Sequence, residues 1–183
     1  KTIDSLLTVL ESSKEDTNKV NTLNELVSQY RVINTLDIAK EYAERSIQLA
    51  GTLGYKKGKA NAHLLSGLIE MSNGNYQNAI LHFQSGKMIN EQIGNRADAA
   101  VNLMSIGKVY IHQGKLADAL KYNQSALRIQ EEIGNKRGQM TVNSSIGVVF
   151  GNMGNYTEAL KYFLASLKLA RSIQDSNVIA SNI

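Results

Sequence analysis

Nine of the fourteen glycines fall into three series with one spacing of 40 residues: Gly54, Gly94 and Gly134; Gly74, Gly114 and Gly154; Gly67, Gly107 and Gly147. Alanine keeps the same period at Ala39, Ala79, Ala119 and Ala159, and a branched aliphatic keeps it at Leu53, Ile93, Ile133 and Ile173. Self-similarity at such a period means one supersecondary unit stacked on copies of itself, because a unit of this size cannot bury its apolar face alone. The 183 residues hold four such units with short flanks.

Between the turn glycines the apolar spacing is helical. Tyr76, Ala79, Ile80, Phe83, Ile89 and Ile93 share one helical face, and Tyr156, Ala159, Leu160, Phe163 and Leu167 repeat it. No stretch alternates with period two. Proline is absent, so turns depend on Gly and Asn. Two glycine series follow apolar stretches and read as left-handed helix ends. The third lies inside helices, where Gly costs about 1 kcal/mol relative to Ala; its recurrence implies close approach of another backbone. The expected fold is all-α, a stack of antiparallel helix pairs. A capping helix occupies 1–15, followed by repeats at 16–55, 56–95, 96–135 and 136–175 and the opening of a fifth repeat at 176–183. The first repeat is irregular, with Asn34 at the turn-glycine position and Val27 at the mid-helix one.

These residues resemble the tetratricopeptide repeat family, and the resemblance implies a right-handed superhelical α-solenoid of antiparallel helix pairs. Ile106-Gly107, Tyr110, Ala119 and Ala126 match the family's packing positions, as do Ile146-Gly147, Phe150, Ala159 and Phe163. The family's usual period is 34, commonly with a proline after the second helix; here the period is 40, without proline. That is similar to a 40-residue subclass found in cell-polarity adaptors, peptide-responsive bacterial regulators and bacterial sensors. The stretches 16–21 (DTNKVN) and 53–58 (LGYKKG) look most like the sensors, whose repeats precede a membrane helix and a histidine kinase or nucleotide cyclase. The resemblance implies the sensor region of a bacterial signalling protein in the periplasm, with the cytoplasm as the alternative. The chain starts at Lys1, which reads as a piece of something longer.

In this family the first helices of the pairs line a partner groove. The resemblance places Asn24, Ser28, Arg31, Leu64, Leu68, Met71, Met104, Lys108, Ile111, Ser144 and Val148 there, with Leu65 and Ser105 beside them. Leu64, Leu68, Met71, Met104 and Ile111 form an apolar strip that suits a protein or peptide partner; the competing reading is that these side chains pack neighbouring helices. A second functional reading is a structural or self-association module, with the open C-terminal end meeting another copy.

Catalytic chemistry is not visible. Cysteine is absent, and the histidines, His63, His82 and His112, form no HExxH pair. His63 and His82 fall on opposite helices of one repeat, where contact is conceivable, though packed or surface histidines are the plainer reading. There is no phosphate-cradling glycine loop and no nucleophile elbow. No catalytic, cofactor-binding or metal-ligating residue is assigned, and the chain reads as a non-enzyme. The net charge of +4 is spread along the chain, which does not suit nucleic acid. No apolar run approaches the roughly 20 residues that span a bilayer.

Overall fold

The computed structural model describes the backbone of residues 2–181 and the side chains of residues 2–174. Among the described residues there are nine helices and no strand: α1 (Ile3–Ser12), α2 (Thr17–Val32), α3 (Leu36–Thr52), α4 (Lys56–Ser72), α5 (Tyr76–Gln92), α6 (Arg96–His112), α7 (Leu116–Glu132), α8 (Lys136–Asn152) and α9 (Tyr156–Ser181). They form the all-α arrangement of repeated antiparallel pairs: α2–α3, α4–α5, α6–α7 and α8–α9. No helix among the described residues is long and apolar enough to cross a membrane. The chain divides into two compact units, Lys1–Asn95 and Arg96–Ile183.

Every turn from α2 to α9 is built one way. Residues 54, 74, 94, 114, 134 and 154 are glycines with φ between 64° and 76°, and Asn34 takes their place in the first pair with φ 59°. The next residue's N–H then reaches back five residues, as in Tyr55 N to Ala50 O (2.9 Å) and Asn155 N to Phe150 O (2.9 Å). This satisfies a carbonyl the helix end would otherwise orphan. Asn tolerates the left-handed region better than other side-chain-bearing residues, which explains its use at 34.

The expected break before a fifth repeat is not there. The helix predicted to stop near 173 continues as α9 through Ser181. The residue equivalent to the turn glycines 54, 94 and 134 is Gln174, and without that left-handed residue nothing ends the helix. Residues 182 and 183 of the predicted fifth repeat lie outside the described residues.

The mid-helix glycines mark the closest approach within each pair. A Cβ on Gly67 would stand 2.5 Å from the Phe83 ring, and one on Gly147 would stand 2.7 Å from the Phe163 ring. Gly107 faces Asn123, whose Nδ2 would lie 2.8 Å from such a Cβ. The first pair reverses the sizes: Val27 stands on α2, and Ala43 of α3 packs in the same cluster. The helix-B alanines are enclosed, with Ala39, Ala79 and Ala119 at 0% and Ala159 at 5% exposure.

Size complementarity at this crossing is testable. Gly67→Val alone should destabilise by about 1–3 kcal/mol through overpacking, and Phe83→Ala alone by about 3–5 kcal/mol. The double variant rebuilds the Val–Ala pair of the first repeat. It should be more stable than the sum predicts by at least about 1 kcal/mol in a urea-denaturation cycle. Strict additivity would show that the two positions do not share one space.

Candidate partner groove and the polar insert of the second repeat

The predicted groove residues recur at i, i+4 and i+7 on the first helix of each pair, which sets them on one face. The structure divides them. Two of them, Asn24 and Ser144, turn towards the second helix of their own pair. Asn24 is 3% exposed; its Nδ2 donates to Gly58 O at 3.1 Å, and its Oδ1 accepts from Ser46 at 2.7 Å. Asn24 is therefore a buried strut between α2, α3 and α4, which corrects its assignment to the groove. Ser144 is half-buried with its hydroxyl 2.8 Å from that of Ser166 on α9, so its polar group is directed inward as well. Leu65 and Ser105 are each 7% exposed and belong to the interior.

The remaining predicted residues keep some surface. In the first unit Ser28, Arg31, Leu64, Leu68 and Met71 are half-buried. In the second, Met104 and Ile111 are half-buried, while Lys108 and Val148 are exposed. A cleft of about 230 Å³ opens between α6 and α8, lined by Val101 and Met104 from one helix and Arg137, Thr141 and Val142 from the other. Gly138 leaves room there, since a Cβ on it would run into the Gln130 amide. Gln130 itself is 2% exposed and tied to Ala97 O (3.3 Å) and the Asn135 amide (2.9 Å). Of the predicted strip, Met104 alone reaches this cleft. An opening of about 300 Å³ in the first unit, lined by Lys19, Leu23 and Arg45 among others, holds none of the predicted residues.

Sequence reading missed a second feature. Three pairs carry a stacked aromatic couple at equivalent positions: Tyr30–Tyr42 (5.5 Å between centroids), Tyr110–Tyr122 (5.3 Å) and Phe150–Tyr162 (5.5 Å). The second repeat places Glu70 and His82 there. Glu70 is 4% exposed and accepts from Lys40 Nζ at 2.9 Å and from Asn75 Nδ2 at 2.8 Å. His63 of α4 faces His82 of α5 with their Nδ1 atoms 3.2 Å apart. The available signal was a charged residue at a position aromatic in the other three units.

The charges in this insert are mutually tuned. Burial pushes the Glu70 carboxyl up, but the bonds from Lys40 and Asn75 outweigh it and leave the group below its ordinary value. The bond to Glu70 raises Lys40 in turn. Burial lowers His63 to about 4, helped by His82 and the Lys59 ammonium. Burial also lowers His82; Lys40 adds to this, while Glu70 and Glu44 oppose it. A histidine whose folded pKa is depressed takes up protons more readily when unfolded. Its stabilising share is thus complete above about pH 6.5 and lost as the pH falls towards about 4. The rings are partly hydrated, so the loss should be on the order of 2 kcal/mol across that window rather than the larger value of a dry site. Urea denaturation of His63→Leu should show a flatter dependence over the same range; parallel curves for the two proteins would contradict this account.

The sequence pattern of the tetratricopeptide repeat family matches residues 58–132 and again 95–172. No curated protein matches the chain by sequence. Among solved structures, MamA is similar at 23% identity and a TM-score of 0.64, covering 94% of this chain and 89% of that one. Aspartyl phosphate phosphatase F from Bacillus subtilis has a TM-score of 0.84 at 17% identity, covering 93% of this chain and 45% of that one. A Rap protein complexed with competence and sporulation factor has a TM-score of 0.84 at 17% identity, over 95% of this chain and 49% of that one. The chain thus spans less than half of the last two proteins, and at these identities the likeness is one of fold. With two overlapping family matches that together cover more than half of its length, the chain belongs to the tetratricopeptide repeat family.

Proposed function

We propose that the chain is a scaffold that holds a peptide segment of a partner protein on the first-helix face, with one apolar side chain of that segment seated in the α6–α8 cleft. The observation that carries this reading is the cleft itself. Val101, Met104 and Val142 give it apolar walls, while Thr141 and Arg137 supply polar groups at its edge, the mixture that small binding sites use. Methionine suits varied partners because its thioether chain is flexible and polarisable. Lys108 and Val148 extend the same face as exposed positions, and Leu64, Leu68 and Met71 are its counterparts in the first unit. The finer reading is that this face belongs to the sensor region of a bacterial signalling protein, in the periplasm. The sequence stretches 16–21 and 53–58 motivate that reading, and a Rap protein of similar fold is complexed with competence and sporulation factor.

One observation favours a second reading, self-association. On α9, Tyr156, Leu160, Leu164 and Leu167 are 75%, 59%, 54% and 47% exposed. They recur at i, i+4, i+8 and i+11, on one face of the helix. A contiguous apolar stripe of this kind is a common mark of an interface.

The two readings separate experimentally. Peptide-array binding by the scaffold should select sequences with an apolar anchor. Met104→Glu should weaken that binding by about tenfold or more, equivalent to about 1.4 kcal/mol, without changing the helical circular dichroism. Leu160→Glu with Leu164→Glu should leave peptide binding intact and, under the second reading, convert a concentration-dependent dimer to a monomer in sedimentation. Peptide selection indifferent to Met104→Glu would refute the cleft as the anchor site.

A further inference from the structure

The polar insert of the second repeat places two imidazoles where the other repeats are mainly apolar or aromatic. The positions equivalent to His63 are Leu23, Leu103 and Asn143, and those equivalent to His82 are Tyr42, Tyr122 and Tyr162. Both histidines stand on rigid helices, one on α4 and one on α5, and their Nδ1 atoms are 3.2 Å apart. Two nitrogens at that distance cannot both point a hydrogen at the other, so at least one presents its lone pair to the gap. The spacing is also that of a chelate, once each ring turns from its present head-on approach, with centroids 5.5 Å apart, to aim its lone pair at one ion. Two nitrogens bound to one ion at about 2.0–2.1 Å are about 3.3–3.4 Å apart at a tetrahedral angle and about 2.9 Å apart at a right angle.

We propose that His63 and His82 form a site for a late first-row divalent ion of the Zn²⁺, Ni²⁺ or Cu²⁺ type, bound through both Nδ1 atoms. Imidazole nitrogen is a preferred ligand of these ions. Uptake requires both rings to be Nε2–H tautomers: the Nδ1 proton shared across the gap leaves to water, Nε2 of the same ring takes one up, and neither ring changes charge. A cleft lined by His63, Asn78, Leu81, His82 and Ser85 opens the pair to solvent. Among the described residues no group of three or more His, Cys, Asp or Glu side chains gathers around a common point. The two imidazoles are thus the protein's ligands, and water or a carboxylate from a bound molecule completes the shell. This is the open arrangement of an exchangeable ion rather than the closed one of a structural zinc site. The negative charge of Glu70 acts on His82 and favours a cation beside it, while Lys40 and Lys59 oppose one and keep the affinity moderate. The ion would bridge α4 to α5 and stabilise the folded pair by mass action.

The test titrates the intact chain with ZnCl₂ and separately with NiCl₂, by calorimetry and by thermal unfolding at neutral pH. One ion per chain should bind, with the unfolding midpoint rising by about 5 °C once the free ion is well above its dissociation constant. Imidazole ¹³C shifts should report Nδ1 rather than Nε2 coordination at two rings. His63→Leu and His82→Tyr each install a residue used at the same position in other repeats, so both should fold. Each should weaken binding by more than about tenfold, about 1.4 kcal/mol, while His112→Ala binds as the wild type. The proposal is overturned if neither ion raises the midpoint, if His63→Leu and His82→Tyr bind like the wild type, or if binding is lost in His112→Ala. A wild type that ignores both ions would leave His63–His82 as a plain hydrogen-bonded pair.

Discussion

The crossing of the two helices within each pair is the constraint on which the rest depends. Antiparallel helices joined by a three-residue turn must pass within side-chain reach of each other. At the closest point there is space for one large side chain, not two. The second and fourth repeats put a phenylalanine on the second helix and a glycine opposite, at Gly67–Phe83 and Gly147–Phe163. The first repeat puts the bulk on the first helix, at Val27, and an alanine opposite, at Ala43. The third keeps the glycine but sets Asn123 against it. Asn123 Nδ2 donates to Ala119 O at 2.9 Å, while its Oδ1 is enclosed with no hydrogen-bond partner. An enclosed amide oxygen without a partner is destabilising, so this repeat has the least apolar crossing of the four.

A second layer sits beside that crossing, three residues further along the first helix and one residue before it on the second. Three pairs close with stacked rings, which add interaction beyond the area they bury. The second pair closes with ions and imidazoles. Leaving an enclosed carboxylate without its partners is destabilising, so Glu70 depends on the half-exposed Lys40 and on Asn75 staying in place. Among the described residues, the second repeat is set apart by an enclosed carboxylate and a pair of facing imidazoles in its interior.

Much of the fold was legible in the sequence, because its determinants are local. A left-handed glycine after an apolar stretch, an alanine at a fixed offset and a helical apolar period are readable without knowing what lies opposite. The mid-helix glycines also announced a close approach, though not whether a ring or an amide filled it. The groove was less legible. Whether Asn24 or Ser144 faces a partner depends on Ser46 and Ser166, each 22 residues away on the other helix. A hydroxyl there turns the polar side chain inward, whereas a methionine at the equivalent 104 lies along the α6–α8 cleft instead. The His63–His82 contact was conceivable from the map, but its distance and its link to a buried carboxylate came from the packing.

The turns explain why the chain does without proline. Helices α3 to α8 are each 17 residues long, and the positive-φ glycines at 54, 74, 94, 114, 134 and 154 recur every 20 residues. The turn after the first helix of a pair is therefore the same device as the turn after the second. At the level of backbone the repeat is half as long as the sequence period suggests. What distinguishes first from second helices is the residue at the crossing, small on one and large on the other in the second and fourth repeats. Identity along the chain is thus carried by side-chain size rather than by turn geometry. That leaves the outward residues of each first helix free to vary without disturbing the fold. The replacement of Gly by Gln174 shows the converse: without a left-handed residue there, α9 runs on past the usual turn to a length of 26 residues.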